Sequence, residues 1–209
     1  GQHMIYDISP PLTPKTAVFP GDTPLSREVL LDMKRGDNLT LSTLHGTVHL
    51  GAHADGANHY GIDAPAIDKM PLEHFLGTCE VIECNKSARD RIEHGDLLTP
   101  IDCARVLFKT GSWPDDEVFN TDYKGLAGSL VEHCASRGVI TIGVDTPSVD
   151  TADSKDLPAH KAILSHNIAI LEGLDLSEVP PGSYELIALP LRLVGFDASP
   201  VRAILRTHD

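Results

Sequence analysis

Short β-branched or apolar runs bounded by Gly, Pro, Asp or Ser recur along the chain, at residues 4–8, 29–32, 39–50, 80–83, 104–109, 139–144, 168–171, 184–189 and 202–206. Runs of this length and punctuation predict strands. Helical periodicity is scarcer. The clearest case covers residues 122–137, where Leu126, Leu130 and His133 or Cys134 fall at helical spacing and Gly138 supplies the stop. Shorter helices are expected over 71–76, 100–103 and 159–166. Strands outnumber helices, and the long helix leads directly into the apolar run at 139–144, so the pattern reads as mixed α/β with strand dominant. Asp145-Thr146-Pro147-Ser148 then sits at the end of a buried strand, where such folds place ligand groups.

One stretch breaks the pattern. Residues 49–59 carry His49, His53, Asp55 and His59 among small residues, and residues 45–59 hold four of the chain's 11 histidines. An even spread would put about 0.8 in such a window. Imidazole and carboxylate are natural donors for zinc and related divalent metals, and three donors with an open position make a catalytic centre. A straight strand cannot use them all, because ten residues at about 3.3 Å each carry His59 roughly 33 Å from His49. The segment must bend, and Gly46, Gly51, Gly56 and Gly61 offer hinges. His45 is expected on the strand leading in.

Length and charge narrow the field. The 209 residues suit one domain with a full core, without linkers or repeats. Residues 1–4, Gly-Gln-His-Met, read as an expression scar and start, leaving 5–209 as a single domain. The net charge of −13 disfavours a nucleic-acid partner, which needs Lys and Arg to neutralise phosphate. No apolar run approaches the roughly 18 to 20 residues that span a bilayer, and no leader pattern opens the chain, so a cytoplasmic protein is expected. Cys79, Cys84, Cys103 and Cys134 are scattered and read as reduced structural thiols.

Other chemistries lack their signatures. There is no G-x-S-x-G elbow, no H-E-x-x-H helix and no Gly-rich phosphate loop. Further metal donors have to come from elsewhere in the chain. Glu172 ends the apolar run 168–171, where a buried carboxylate is costly unless paired or bound to a cation, and His160 is a second candidate. His166 is an alternative ligand that reads more simply as a helix-terminal residue, and Asp145 and Asp150 read as turn residues and caps.

On these residues the chain resembles the metal-dependent cyclase-like hydrolases, and within them the bacterial kynurenine formamidases. Their pattern H-x-G-[TA]-H-x-D-[AG]-P-x-H is matched from His49 to His59, with Ala57 where Pro is common. Asp7-Ile8-Ser9-Pro10 and Phe19-Pro20-Gly21-Asp22 match the family's opening, Asp145 to Ser148 its middle signature, and His160 and Glu172 its distal ligands.

The resemblance implies a layered β/β/α swivelling-type single domain with a mixed sheet and barrel-like core. It implies two zinc ions on His49, His53, Asp55, His160 and Glu172, with Asp55 and Glu172 placed to bridge and His59 as catalytic acid/base. It further implies a homodimer that hydrolyses N-formyl-L-kynurenine to L-kynurenine and formate in tryptophan degradation. Phe19, in a Pro-Gly turn, resembles the position that offers an aromatic face to substrate, with core packing as its other reading, and Tyr60 follows His59 directly. A relative acting on a cyclic amide such as isatin, or a metal-binding protein without catalysis, would fit the same donors. A base held beside the metal, as His59 would be, favours an enzyme over a store.

Overall fold

The computed structural model describes residues 3–208, so Gly1 and Gln2 of the expected scar, with Asp209, lie outside the described residues. The strands are β1 (Ile5–Asp7), β2 (Ser26–Leu31), β3 (Leu41–His45), β4 (His53–Asp55), β5 (Leu76–Glu83), β6 (Arg91–Ile92), β7 (Arg105–Lys109), β8 (Gly125–Leu126), β9 (Thr141–Val144), β10 (Ala169–Glu172), β11 (Gly182–Ile187), β12 (Ala198–Pro200) and β13 (Ile204–Arg206). Two α-helices, α1 (Gly128–Ser136) and α2 (Pro158–Ser165), join them. Nine strands form one mixed sheet in the order β1-β13-β11-β5-β7-β9-β10-β4-β12. Its centre, β5 to β10, is parallel, and both flanks are antiparallel.

Burial follows from that order. The parallel strands β9 and β10 are buried at every residue, as expected of strands covered on both faces. One face carries α1 and α2 over Val106, Phe108, Ile142 and Ile170. The other encloses a second core in which Ala54, from β4, shares a cluster with Leu186 and Leu205, from β11 and β13. Strands so far apart in the order meet over one core only if the sheet curls. This is the strand-rich α/β, barrel-like architecture expected. Among the described residues no helix is long and apolar enough to cross a membrane.

Several boundaries differ from the sequence reading. The helix foreseen over 122–137 begins only at Gly128, because Leu126 reaches the core from β8, paired in parallel with β6, and Tyr123 Oη donates to the Asp150 carbonyl. Gly138 is the stop, at φ +78°. Residues 100–103 form no helix, and 71–76 contain only a 3-10 turn, Leu72–Phe75. The strand foreseen over 39–50 ends at His45, with His45 exposed, and the chain then turns before β4. β2 and β3 form a separate hairpin with every residue of β3 exposed.

Candidate metal centre

Two local devices bring the donors together. β4 is a three-residue strand in which His53 and Asp55 flank Ala54, so both project to one side. It lies antiparallel to β10, with Glu172 opposite His53. A 3-10 turn, Ala57–His59, then folds the chain back, and the His59 ring centroid lies 4.1 Å from that of His49. The bend demanded by spacing is therefore real. Ala57 is the first residue of that turn, a position Pro would also accept.

Of the four expected hinges only Gly51 has positive φ, at +54°. Gly173, also left-handed at +70°, lies so close behind it that a Cβ would come within 2.2 Å of the Gly51 carbonyl oxygen. Gly173 is required by this close approach of backbone to backbone, whereas at Gly51 the left-handed φ and the Leu12 side chain, 2.4 Å from where a Cβ would stand, favour glycine.

Each of the three inner histidines has one ring nitrogen held by an outer acceptor. His53 Nδ1 is 2.8 Å from the Gly51 carbonyl, His160 Nδ1 is 2.6 Å from Asp150 Oδ2, and His49 Nε2 is 2.6 Å from Asp197 Oδ2. The other nitrogens face the inner carboxylates, with His53 Nε2 3.1 Å from Glu172 Oε1 and His49 Nδ1 3.2 Å from Asp55 Oδ1. Such fixing of the distal nitrogen orients imidazoles that ligate metal. Glu172 Oε2 accepts from the Val149 N–H.

Asp55 is fully buried, and neither carboxylate oxygen accepts a hydrogen bond of good geometry; Oδ1 only faces His49 Nδ1 at 3.2 Å and His53 Nε2 at 3.5 Å. A charge so placed is costly unless a cation answers it. His49, His53 and Asp55 form one group of atoms close enough to hold an ion, and Asp55, His160 and Glu172 form another. Asp55 belongs to both.

The electrostatics agree with this donor set. Burial disfavours the charged form of His49, yet the adjoining Asp55 and Asp197 lift its pKa to about 9. Burial opposes charge on His53 and His160 too, but Glu172 and Asp150 respectively raise them. Burial pushes Asp55 up, and the surrounding histidines hold it well below the usual carboxylate range. Glu172 is pushed up by burial and by Asp55. The pocket carries surplus negative charge, which protons or metal cations can balance.

His59 is half exposed, with Nδ1 3.9 Å from Asp197 Oδ2, and burial lowers its pKa. It also lies within ion-binding reach of His49 and Asp197, so the structure brings it closer to the donors than a remote acid/base would be. Phe19 lines a cleft of about 500 Å³ together with His49, His53, Trp113 and Phe119, and its ring centroid is 4.8 Å from that of Phe119. Tyr60 does not line the cleft. It packs on the helix-side core with its hydroxyl buried and without a partner, its ring centroid 5.1 Å from His160.

His166 ends α2 and reaches Glu132 on α1, as its helix-terminal reading implies. Asp145 caps the Thr110–Gly111 turn. Asp150 is a cap with a further task, since it accepts from the Ala159 and His160 N–H groups, from His160 Nδ1 and from Arg91. Asp197 went unforeseen, because it stands in a loop with no periodicity or motif around it.

Comparison with known proteins follows the same lines. Residues 6–151 match the Cyclase family model, described as "Putative cyclase". The match spans His49 to His59, and the fold brings His160 and Glu172 to them from beyond it. A structure described as "Potential Metal-Dependent Hydrolase With Cyclase Activity" superposes with a TM-score of 0.87 at 26% identity, with all of both chains covered. A "predicted metal-dependent hydrolase from Bacillus stearothermophilus" gives 0.84 at 27%, again over all of both chains. Isatin hydrolase A from Labrenzia aggregata, bound to benzyl benzoate, shares the fold at 23% identity, with a TM-score of 0.79 over 99% of this chain and 94% of that one. Sequence match, curled sheet and donor geometry thus converge on one lineage, and the chain belongs to the Cyclase family.

Proposed function

We propose that this protein is a zinc-dependent arylformamidase that hydrolyses N-formyl-L-kynurenine to L-kynurenine and formate in tryptophan degradation. The observation that carries the reading is Asp55, fully buried with neither oxygen accepting a hydrogen bond of good geometry, among histidines whose outer nitrogens are already held. The aromatic wall of the adjoining cleft, with Phe19, Trp113 and Phe119, suits an aryl substrate.

His49, His53 and Asp55 would hold one zinc and Asp55, His160 and Glu172 a second, polarising the formyl carbonyl and lowering the pKa of a water toward about 7. His59 stands at the rim as the proton carrier. It takes a proton as water oxygen bonds to the formyl carbon, and delivers it to the aniline nitrogen as the C–N bond breaks, so that no anilide anion is released. Burial lowers the pKa of His59, which favours the neutral imidazole that can accept that proton.

The working unit in this reading is a homodimer. Leu30, Leu41 and Leu44 of the β2–β3 hairpin are all more than 45% exposed, and a bare two-stranded hairpin is marginal in water. A monomer in sedimentation at micromolar concentration would overturn that part. Four unpaired thiols fit a reducing, cytoplasmic setting.

The deciding assay follows metal analysis of the purified protein and measures formate release from N-formyl-L-kynurenine beside ring opening of isatin. Formate release with two equivalents of zinc is expected. Isatin turnover without formate release would transfer the assignment to cyclic amides.

A further inference from the structure

We infer that Lys109 is a specificity-determining residue, the cation that receives a carboxylate carried by the aryl amide substrate. This rests on the hydrolase reading above and extends it from the bond broken to the part of the substrate that is recognised.

Lys109 ends β7 and lines the same cleft as His49 and His53. Among the described residues lining that cleft it is the one Lys or Arg. Its side chain is half-buried, and Nζ donates to the Val179 carbonyl at 3.0 Å. No carboxylate of the described residues lies within 4.0 Å of that nitrogen. Two acids flank it: Glu83 ends β5 directly in register with Lys109 yet makes no ion pair with it, and Asp145, just past the end of β9, is committed elsewhere, accepting from the Thr110 N–H at 2.9 Å, Thr110 Oγ1 at 2.6 Å and the Gly111 N–H at 2.9 Å. An ammonium half withdrawn from water, with one neutral acceptor and no carboxylate at ion-pair distance, is poised for an anion.

Its position suits the scale of an amino-acid substrate. Glu172 ends β10, and only β9 separates that strand from β7. Two inter-strand steps of about 4.8 Å place the strand ends about 10 Å apart, a span comparable with that between the formyl carbon and the α-carboxylate of N-formylkynurenine. Asp116 and Asp175 also line the cleft and carry the sign that an α-ammonium needs. Isatin has no carboxylate and would gain nothing from Lys109.

The test uses the zinc-loaded protein and the fluorescence of Trp113, the chain's only tryptophan, which lines the cleft. L-kynurenine and 2-aminoacetophenone, which keeps the aryl ketone without the amino-acid end, are titrated into wild type, Lys109→Met and Lys109→Arg. Loss of a charge-assisted contact should weaken L-kynurenine binding to Lys109→Met by about tenfold to a hundredfold. Binding of 2-aminoacetophenone should be unchanged, and Lys109→Arg should retain most of the affinity for L-kynurenine. In turnover, KM for N-formyl-L-kynurenine should rise while kcat holds.

Equal weakening of both ligands would mean that Lys109 only props the Val179 loop, and unchanged L-kynurenine binding would mean that another group receives the carboxylate. Either result overturns the inference. A wild type that binds L-kynurenine through Lys109 yet releases no formate would overturn the reaction reading alone.

Discussion

Replacing Asp150 by Asn should loosen the metal centre and the helix beside it in one stroke. The carboxylate accepts four hydrogen bonds, from Arg91 and His160 Nδ1 at 2.6 Å each and from the N–H groups of Ala159 and His160 at 3.0 Å each. The residue in the N-cap position of α2, Leu157, sits in the left-handed region at φ +50° and offers no acceptor, so Asp150 does the capping from upstream. An asparagine keeps one acceptor and turns an NH2 group toward donors.

Loss of a cap costs about 1 kcal/mol. Loss of the charge-assisted contact to Arg91, which is partly exposed, costs about 1.5 kcal/mol. For a chain of this size the combined effect of about 2.5 kcal/mol lowers Tm by about 5 to 10 °C. Because Asp150 also fixes the His160 tautomer, zinc affinity should fall by about tenfold to a hundredfold. Scanning calorimetry of the metal-free protein reads the first effect, and competition with a chromophoric chelator reads the second.

The pH dependence has a definite sign. Burial works against the Asp150 charge, but His160 and Arg91 hold its pKa down to about 2. A depressed carboxylate stabilises the fold above its ordinary value and loses that effect as pH falls through its folded value. The stability gap between wild type and Asp150→Asn should therefore be full at pH 5 and close toward pH 2. A fall in Tm with unchanged zinc affinity would refute the role given to His160, and an unchanged Tm would refute the cap.

Three further outcomes are expected. His59→Ala should keep its zinc and lose about a hundredfold to ten-thousandfold in kcat; loss of zinc with activity would show that His59 joins His49 and Asp197 as a ligand. Gly173→Ala should destabilise by several kcal/mol and cost zinc affinity, since its Cβ would press on the Gly51 carbonyl that holds His53; near wild-type Tm and zinc binding would show that the two backbones can part. Burial pushes the Cys79 and Cys134 thiols up to about 12 and raises Cys84 as well. Ellman's reagent at pH 8 should thus find Cys103 quickly and the other three only on unfolding, and rapid reaction of all four would contradict the packing.

The strand inventory was legible because buried parallel strands such as β9 and β10 announce themselves as apolar runs. β4 and β12 were not, since three-residue strands of His, Ala, Asp, Ser and Pro carry no apolar signal, and only their neighbours make them strands. The donors of residues 49–59 showed by density alone. Asp150 looked like a turn residue because its task depends on α2 folding back onto it, and Asp197 was invisible because its contact with His49 spans 148 positions. Local pattern reports what a residue is, whereas the outer acceptors of the centre are defined by what the fold sets beside them.

The antiparallel pairing of β4 with β10 bears on how the protein matures. It joins residues 119 and 117 positions apart in sequence, Glu172 with His53 and Leu171 with Ala54, beside strands that are themselves parallel. Contacts of such long range form late and slowly, because loop closure has to precede any gain from them. This particular closure also draws two carboxylates together in a dry interior. The nascent chain can thus complete its helix-covered layer before the ion-binding strand locks in, and divalent cations then favour the closed form by mass action. Metal scarcity would leave a population of chains with an ajar edge beside β10, exposed to proteolysis there before anywhere else in the sheet.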